Sequence, residues 1–303
     1  MCSSIVDAIG YEVPFSTPWH ESSGGLLHLE HVNIRTPSQA PVKQLYFDIL
    51  GCGPDERRAR EFQEGTGTLW ANIGTTQLHL PSGDPEVLPG TIGLVFPDLS
   101  EVRSRLEGGR YEALEGTKFA WKDEGGDNGL VITCPYGNQF RLHKRAAKQG
   151  VDLDPLDPRG GSLPSPPSLG HGIAYVHVRV RPGTAAGIGR FYRELFGAEV
   201  QDVGPEECSA LGLGGGGGQA PASAGAVVRV GPAQHLGFFE SDEPLPAWDG
   251  HHVCVYLSDE AFRQSFEVTE RKGLVFVNPR RNYGKADTLD QALVEKQYRI
   301  KRI

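Results

Sequence analysis

Hydrophobic and polar residues alternate along several short stretches of the chain, at 27–35, 68–73, 76–80, 91–96, 130–134 and 139–143. A period of two residues is typical of strands that bury one face and leave the other polar. After the first stretch the period becomes helical, and apolar side chains form a stripe at Val42, Leu45, Tyr46, Ile49 and Leu50. The pattern therefore predicts a strand, a short helix and then further strands.

The segment from His31 to Gly51 recurs 146 residues later, from His177 to Gly197. The helical stripe recurs with it, at Ile188, Phe191, Tyr192, Leu195 and Phe196. Gly51 and Gly197 directly follow the stripes, at the position where a helix commonly ends in a left-handed glycine. A repeat of this length predicts two copies of one structural unit.

Each copy divides again into two similar units. In the first copy, a second alternating strand at 91–96 precedes a helix near 99–106 and strands at 130–134 and 139–143. The sequence PYGN between these last two strands is typical of a hairpin turn. The predicted fold class is α+β, built from tandem βαβββ modules, and the last module is expected to be incomplete.

The repeats also predict the domain organisation. We expect an N-terminal extension at 1–25, a first two-module domain at 26–149 and a Pro-rich linker at 150–169. A second two-module domain then covers 170–303 and carries a glycine-rich insertion at 211–225, where the sequence is a run of small residues.

Composition removes several classes of function. The formal net charge is -8, which argues against a protein that binds nucleic acid through its phosphates. No apolar run approaches the roughly 20 residues that a membrane helix needs. The five cysteines include no C-x-x-C pair, so neither a disulfide framework nor a zinc ribbon is expected. With no recognisable secretion signal, the cytoplasm is the default location.

Two motifs carry a family resemblance. One is a histidine that opens an alternating strand and is followed by a helix ending in YFDILG or FYRELFG; the other is PYGN before a closing strand. Together they resemble the vicinal oxygen chelate superfamily, which includes glyoxalase I, extradiol dioxygenases and antibiotic-resistance proteins. The resemblance implies that modules pair into two cup-shaped half-barrels, with helices outside and polar strand residues lining the inside.

The resemblance also implies where metal ligands would lie, on the first and last strands of the modules. Transferred position by position, the first half offers His31, His79, Thr91 and Arg141 as pocket residues. Thr91 stands where a histidine is usual, and Arg141 stands where a glutamate is usual. A guanidinium has no lone pair for a cation, so we expect a degenerate or repurposed site in which Arg141 holds an anion.

In the second half, His177 and His252 occupy ligand positions on opening strands. Two neutral imidazoles and one carboxylate would leave open positions on iron or manganese for a substrate with two oxygens. The acid expected on a final strand is missing before Ile303. Three alternatives follow: the chain continues beyond this residue, other residues complete the site, or no metal binds. His235, one step out of register with His79, is either a third nitrogen ligand or a surface residue.

The leading hypothesis is a small-molecule enzyme with a divalent metal, either iron, manganese, zinc or nickel, held by His177 and His252. Dioxygenase chemistry on a substrate with neighbouring oxygens ranks first, and a glyoxalase-type lyase or isomerase is the alternative. The competing hypothesis is a non-catalytic protein without a cofactor, in which Arg141 binds a small anion. All of these have a small molecule as partner, and neither a nucleic acid nor a membrane.

Overall fold

The computed structural model describes residues 24–125, 129–144, 168–210, 224–231, 233–277 and 286–301. The predicted N-terminal extension, Pro-rich linker and glycine-rich insertion therefore lie almost wholly outside the described residues. No helix within these ranges is long and apolar enough to cross a membrane.

Four successive modules each open with a strand that leads into a helix. The first contains β1 (Leu26–Asn33), α1 (Gln39–Val42, continued by a π-helix over Lys43–Ile49), β2 (Gly53–Pro54), a 3₁₀ turn (Glu56–Arg58), α2 (Ala59–Glu64), β3 (Leu69–Ile73) and β4 (Thr76–Leu80). The second contains β5 (Gly90–Phe96), α3 (Ser100–Gly108), a 3₁₀ turn (Glu112–Leu114), β6 (Ala120–Asp123), β7 (Leu130–Thr133) and β8 (Gln139–Lys144). The third contains β9 (Gly172–Val180), α4 (Ala185–Phe196), β10 (Val200–Val203), α5 (Pro205–Ala210), β11 (Gly225–Gly231) and β12 (Gln234–Glu240). The fourth contains β13 (His252–Leu257), α6 (Asp259–Arg271) and α7 (Leu289–Glu295).

The strands form two sheets whose order reveals which modules pair. In the first three modules the opening strand runs parallel to the last strand, as β1 with β4, β5 with β8 and β9 with β12. Between modules the opening strands pair antiparallel, β1 with β13 and β5 with β9. The first module thus shares a five-stranded sheet with the fourth, and the second shares an eight-stranded sheet with the third. The predicted α+β class, with paired βαβββ modules, is confirmed.

One hydrophobic core extends through both sheets and joins the two copies of the repeat. It combines side chains of the first module, such as Leu29 and Val32, with side chains of the third, such as Val228 and Leu236. The predicted helical stripes face this core, and Gly197 ends α4 in the left-handed conformation with φ 61°. The alternating apolar positions thus account for the layer that holds the sheets together.

Strand β1 departs from regular alternation where it pairs with β13. Leu29 lies opposite Val255 and His31 lies opposite Cys254, so Glu30 has no opposite residue on β13. An extra residue of this kind is a β-bulge, which changes the direction of the neighbouring side chains. Because of the bulge, Glu30 and His31 can act on the same side of the sheet although they are adjacent in sequence.

The fourth module contributes only β13 to a sheet within the described residues. After α6, the chain makes an isolated antiparallel bridge between Val275 and Ile300. A small apolar cluster of Phe266, Ala286 and Ala292 holds α7 near α6. Apart from β13, the described residues of this module form no strand of either sheet, as expected for an incomplete module.

Candidate functional site

Three predicted histidines meet on one face of the five-stranded sheet. Asn33 on β1 lies opposite His79 on β4 and also opposite His252 on β13. His31 precedes Asn33 by two residues, so its side chain lies on the same face of β1. The register of three adjacent strands therefore brings His31, His79 and His252 together, although 221 positions separate the first from the last.

The histidine rings are in direct contact. The ring of His79 stacks on that of His31 with 3.7 Å between centroids, and Trp70 on β3 stacks on His79 at 4.4 Å. The ring of His252 approaches His31 edge-on, at 6.2 Å. His79 is thus held between two rings on the neighbouring strands, which restricts the directions its nitrogens can take.

Glu30 adds a carboxylate to this group. Its Oε2 contacts Nδ1 of His31, and the contact is largely buried. One ligand atom each from Glu30, His31 and His79 lie within 4.8 Å of one another. Among the residues that the structure describes, these three form a group of potential ligands close enough to share one cation. Carboxylate oxygen and imidazole nitrogen suit zinc, iron, manganese or nickel.

The two stacked histidines carry different charges at neutral pH. Burial lowers the pKa of His31, but its contacts with Cys254 and Glu30 outweigh burial and raise the pKa from 6.5 to about 9. Burial lowers the pKa of His79 far below its usual range, and the positive charges of His31 and Arg57 lower it further. Without a metal, the site therefore holds one imidazolium beside one neutral imidazole.

Strand β13 supplies two further polar groups at the rim. Nδ1 of His252 donates to the carbonyl of Gly250 at 3.0 Å, which leaves the lone pair of a neutral ring on Nε2. Cys254 lies opposite His31 on β1 and helps to raise the pKa of that ring. When a histidine binds a metal through one ring nitrogen, the other ring nitrogen commonly donates a hydrogen bond to a carbonyl or a carboxylate. Nδ1 of His252 contacts a carbonyl in this way, and Nδ1 of His31 contacts the Glu30 carboxylate.

Two arginines border the site beside Trp70. The guanidinium groups of Arg57 and Arg58 each lie 4.5 Å from the centroid of the Trp70 ring. Such cation–π contacts fix the positive charges at one edge of the site while leaving part of each side chain in water. Both guanidinium groups also pair with carboxylates, Arg57 with Asp55 and Arg58 with Glu61, so this edge of the site carries little net charge.

His177 and His252, which the sequence analysis groups as metal ligands, belong to different sheets. His252 lies in β13 beside β1, whereas His177 in β9 lies opposite Thr91 in β5. The reason is that modules one and four share a sheet while modules two and three share the other. His252 therefore joins His31 and His79, and His177 joins Thr91 and His235.

The second cluster, in the eight-stranded sheet, consists of His143, Tyr175, His177 and His235. Nε2 of His177 lies 2.9 Å from Nε2 of His235, and Nε2 of His143 lies 2.9 Å from the Tyr175 hydroxyl. The Tyr175 ring stacks on His177 at 4.1 Å. Burial lowers the pKa of His235 to about 3 and that of His143 to about 4. Burial, together with the neighbouring His235, also holds the pKa of His177 well below its usual range. All three rings are neutral at pH 7.

Two glycines make room for this cluster. A Cβ at Gly93 would lie 2.2 Å from the Tyr175 ring, and one at Gly237 would lie 2.7 Å from the His177 ring. The rings thus fill the face of the eight-stranded sheet with the protein's own side chains. His235, for which the sequence left two alternatives, is buried beside His177 and is not a surface residue.

Arg141, the predicted anion-binding residue, already has a carboxylate partner within the chain. Its guanidinium donates to Glu124 at 2.7 Å, and the residue lies opposite Gly93 on β5. An incoming anion would have to displace Glu124. The structure therefore weakens the case for Arg141 as an anion receptor, and Arg57 and Arg58 beside Trp70 likewise have carboxylate partners.

Sequence reasoning missed Glu30 at the site. By strict alternation Glu30 shares the face of Val32 and Ile34, and only the bulge brings its carboxylate to His31. Cys254, by contrast, falls on the same face as His252 in the alternating pattern, so the sequence contained the information needed to place it.

No protein-family profile and no curated protein matches the sequence. Solved structures do match, over most of the chain. A candidate dioxygenase from Bacillus subtilis aligns with a TM-score of 0.50 and 12% identity, covering 86% of this chain and 79% of its own. Glyoxalase I from Zea mays aligns with a TM-score of 0.49 and 12% identity, covering 83% of each chain. A 2,3-dioxygenase from Pseudomonas sp. KL28 aligns with a TM-score of 0.30 and 14% identity, covering 86% of each.

At 12–14% identity, structural similarity is evidence for a shared fold but not for a shared reaction, because one fold can host many chemistries. The alignment with the Bacillus structure covers 86% of this chain, which is too much to be confined to one of the two sheets. The chain therefore has the fold of the vicinal oxygen chelate superfamily.

Proposed function

We propose that the protein is a small-molecule enzyme that uses a divalent metal held by Glu30, His31 and His79. The observation that carries the proposal is the convergence of one carboxylate and two imidazoles, with ligand atoms within 4.8 Å of one another. Two imidazoles and a carboxylate leave several coordination positions for a substrate on iron or manganese, and zinc or nickel also accepts these donors. The ring of His252 lies 6.2 Å from that of His31 and is not one of these three ligands.

The donor set fits a divalent cation chemically. His79 is neutral, so its lone pair is available at pH 7 without proton release. Glu30 contacts Nδ1 of His31 through Oε2, which leaves Nε2 of His31 and Oε1 of Glu30 as the donor atoms for a cation.

The residues around the triad have separate roles in this proposal. When bound, the metal would supply Lewis-acid polarisation of two neighbouring substrate oxygens. Glu30 would hold the Nδ1 proton of His31 and fix the orientation of that ring. Trp70, flanked by Arg57 and Arg58 and stacked on His79, would form one wall of the substrate site.

Metal content tests the proposal directly. We expect the purified protein to contain about one equivalent of iron, manganese, zinc or nickel per chain by elemental analysis, and the variants Glu30→Ala, His31→Ala and His79→Ala to lose it. His177→Ala is the matched control, since it removes a half-buried histidine of the other sheet, and it should retain the metal. Retention in the three triad variants and loss in the control would overturn the proposal.

Reaction type is tested separately. Oxygen uptake with a series of catechols would support the dioxygenase assignment, whereas isomerisation of 2-oxoaldehyde hemithioacetals without oxygen uptake would support the glyoxalase-type alternative. Thermal stabilisation by small carboxylates that a chelator leaves unchanged would instead support the non-catalytic anion binder.

A further inference from the structure

We infer that Gln77, held in place by Asp55, is a positioning residue that fixes the tautomer of His79 and directs the Nδ1 lone pair of that ring to the cation. The inference rests on the proposed function for its purpose.

The contacts form a continuous line behind the site. Nε2 of Gln77 donates to Oδ2 of Asp55 at 2.7 Å and also to Oδ1 of Asn72. The amide oxygen of Gln77 lies 2.9 Å from Nε2 of His79. Gln77, Asn72 and Asp55 are all buried, at 1%, 1% and 5% exposure, so water does not compete strongly for these bonds.

The chemistry of Asp55 decides the orientation of the amide. A carboxylate only accepts hydrogen bonds, so the group of Gln77 that faces Asp55 must be the NH₂ and not the carbonyl. The carbonyl then faces His79, and because a carbonyl also only accepts, Nε2 of His79 must carry the proton. In a neutral ring the lone pair is then on Nδ1.

Asp55 is itself held firmly. Nε of Arg57 donates to Oδ1 and Nη2 donates to Oδ2, each at 2.8 Å, and the backbone N–H of Arg57 also donates to Oδ1 at 2.9 Å. The last of these bonds makes Asp55 the cap of the 3₁₀ turn Glu56–Arg58. A bidentate arginine and a cap together leave the carboxylate little freedom to rotate.

The second module offers a matched comparison at the same strand position. Gln77 lies opposite His31 on β1, and Gln139 lies opposite Thr91 on β5. Gln139 hydrogen-bonds only to the Thr133 hydroxyl among the contacts that the structure gives it. Replacing Gln139 therefore tests the loss of a half-buried strand glutamine without touching a histidine.

The first experiment is NMR on metal-free protein labelled with ¹⁵N-histidine, with the His79 signals assigned by the His79→Phe variant. Long-range ¹H–¹⁵N correlations distinguish the two neutral tautomers. We expect the Nε2–H tautomer in the wild type and in Gln139→Met, and a mixture in Gln77→Met. A wild-type ring in the Nδ1–H form would overturn the inference even if every variant failed to fold.

The second experiment measures metal affinity by competition with a chromophoric chelator, using zinc or cobalt. Loss of a partner that orients a ligating histidine typically weakens binding about 10–100-fold, and we expect this for Gln77→Met but not for Gln139→Met. Equal affinity in Gln77→Met and the wild type would contradict the role of Gln77. A wild type that binds neither metal would instead contradict the proposed function, while the tautomer measurement would still decide on Gln77.

Discussion

At the residue scale, the proton on His31 is the main barrier that a cation must overcome at this site. The pKa of His31 is about 9 against an ordinary value of 6.5, because Cys254 and Glu30 outweigh the effect of burial. His79 has no comparable proton, since burial keeps it neutral. At the proposed metal site, binding of a cation through His31 would therefore release one proton, from this ring.

Metal affinity should rise with pH as a consequence. Below the pKa of His31, each pH unit should strengthen binding by about tenfold, since one proton is displaced, and the rise should level off near pH 9. Competition titrations with zinc between pH 6.5 and pH 9 would measure the slope, after correction for the competitor. The His177→Ala variant should give the same profile. An affinity that is independent of pH in this range would rule out His31 as a ligand.

The stability of the metal-free protein should show the opposite trend. The folded-state pKa of His31 lies above its unfolded value of 6.5, so the contacts of the imidazolium with Cys254 and Glu30 stabilise the fold fully below that pH. The stabilisation is lost as the pH rises through about 9, and it is at most on the order of 3 kcal/mol from the pKa difference. Urea denaturation at pH 6 and pH 9.5 should show a larger loss in the wild type than in Glu30→Gln. Equal losses would mean that the Glu30–His31 pair does not control the pH dependence.

The site residues differ in how far the sequence could predict them. His31, His79 and His252 follow from alternation, which assigns each to the polar face of its strand. Glu30 does not, because the bulge in β1 is set by pairing with β13 and leaves no mark in the local pattern. The grouping of His252 with His31 also depends on that pairing, which joins residues from opposite ends of the chain.

At the element scale, a glycine in β5 allows an aromatic ring to pack directly on the backbone of the eight-stranded sheet. Gly93 in β5 lies beneath the Tyr175 ring, with 2.2 Å between that ring and a hypothetical Cβ. Gly187 in α4 has a different environment, since a Cβ there would approach only the end of the Arg190 side chain, at 3.7 Å. The same substitution should therefore have opposite effects in the two elements.

Gly93→Ala should lower the free energy of unfolding by about 1–3 kcal/mol, because Tyr175 must shift and its bond to His143 must weaken. Gly187→Ala should raise it by up to about 1 kcal/mol, because alanine is the better helix former. Urea denaturation of both variants at pH 7 provides the measurement. Similar free energies for the two variants would show that Tyr175 has space to move and that the sheet is less tightly packed than the structure indicates.

Element prediction from sequence succeeded where apolar residues alternate and failed in short edge strands. The strand predicted at 76–80 is observed as β4 (Thr76–Leu80), and the stretch at 68–73 is observed as β3 (Leu69–Ile73). Strands β2 and β6 were not predicted, since their sequences GP and AWKD lack a buried face. Both lie at the edges of their sheets, where a neighbouring strand and not the sequence pattern determines the conformation.

At the scale of the whole molecule, the pairing of modules is the property that internal repeats cannot reveal. All four opening strands have the same alternating pattern, so any two of them could pair edge to edge. The observed choice, first with fourth and second with third, places β1 beside β13 and β5 beside β9. The domain boundaries at 149 and 170 remain predictions from the sequence, and the strand pairing runs across them in both sheets.

This pairing predicts that the two halves of the chain depend on each other for folding. Separating them would expose the edges of β1 and β5 together with buried side chains such as Leu29 and Ile92. A specific protease site inserted within 145–167 would allow the intact, folded protein to be cut between the halves. After cleavage, we expect the two fragments to elute together from a gel-filtration column at native pH and to separate only in denaturant. Each half produced alone should be insoluble or unfolded by circular dichroism, and co-expression should restore a soluble complex. Two fragments that separate under native conditions, each with a cooperative unfolding transition, would instead show that consecutive modules form independent domains.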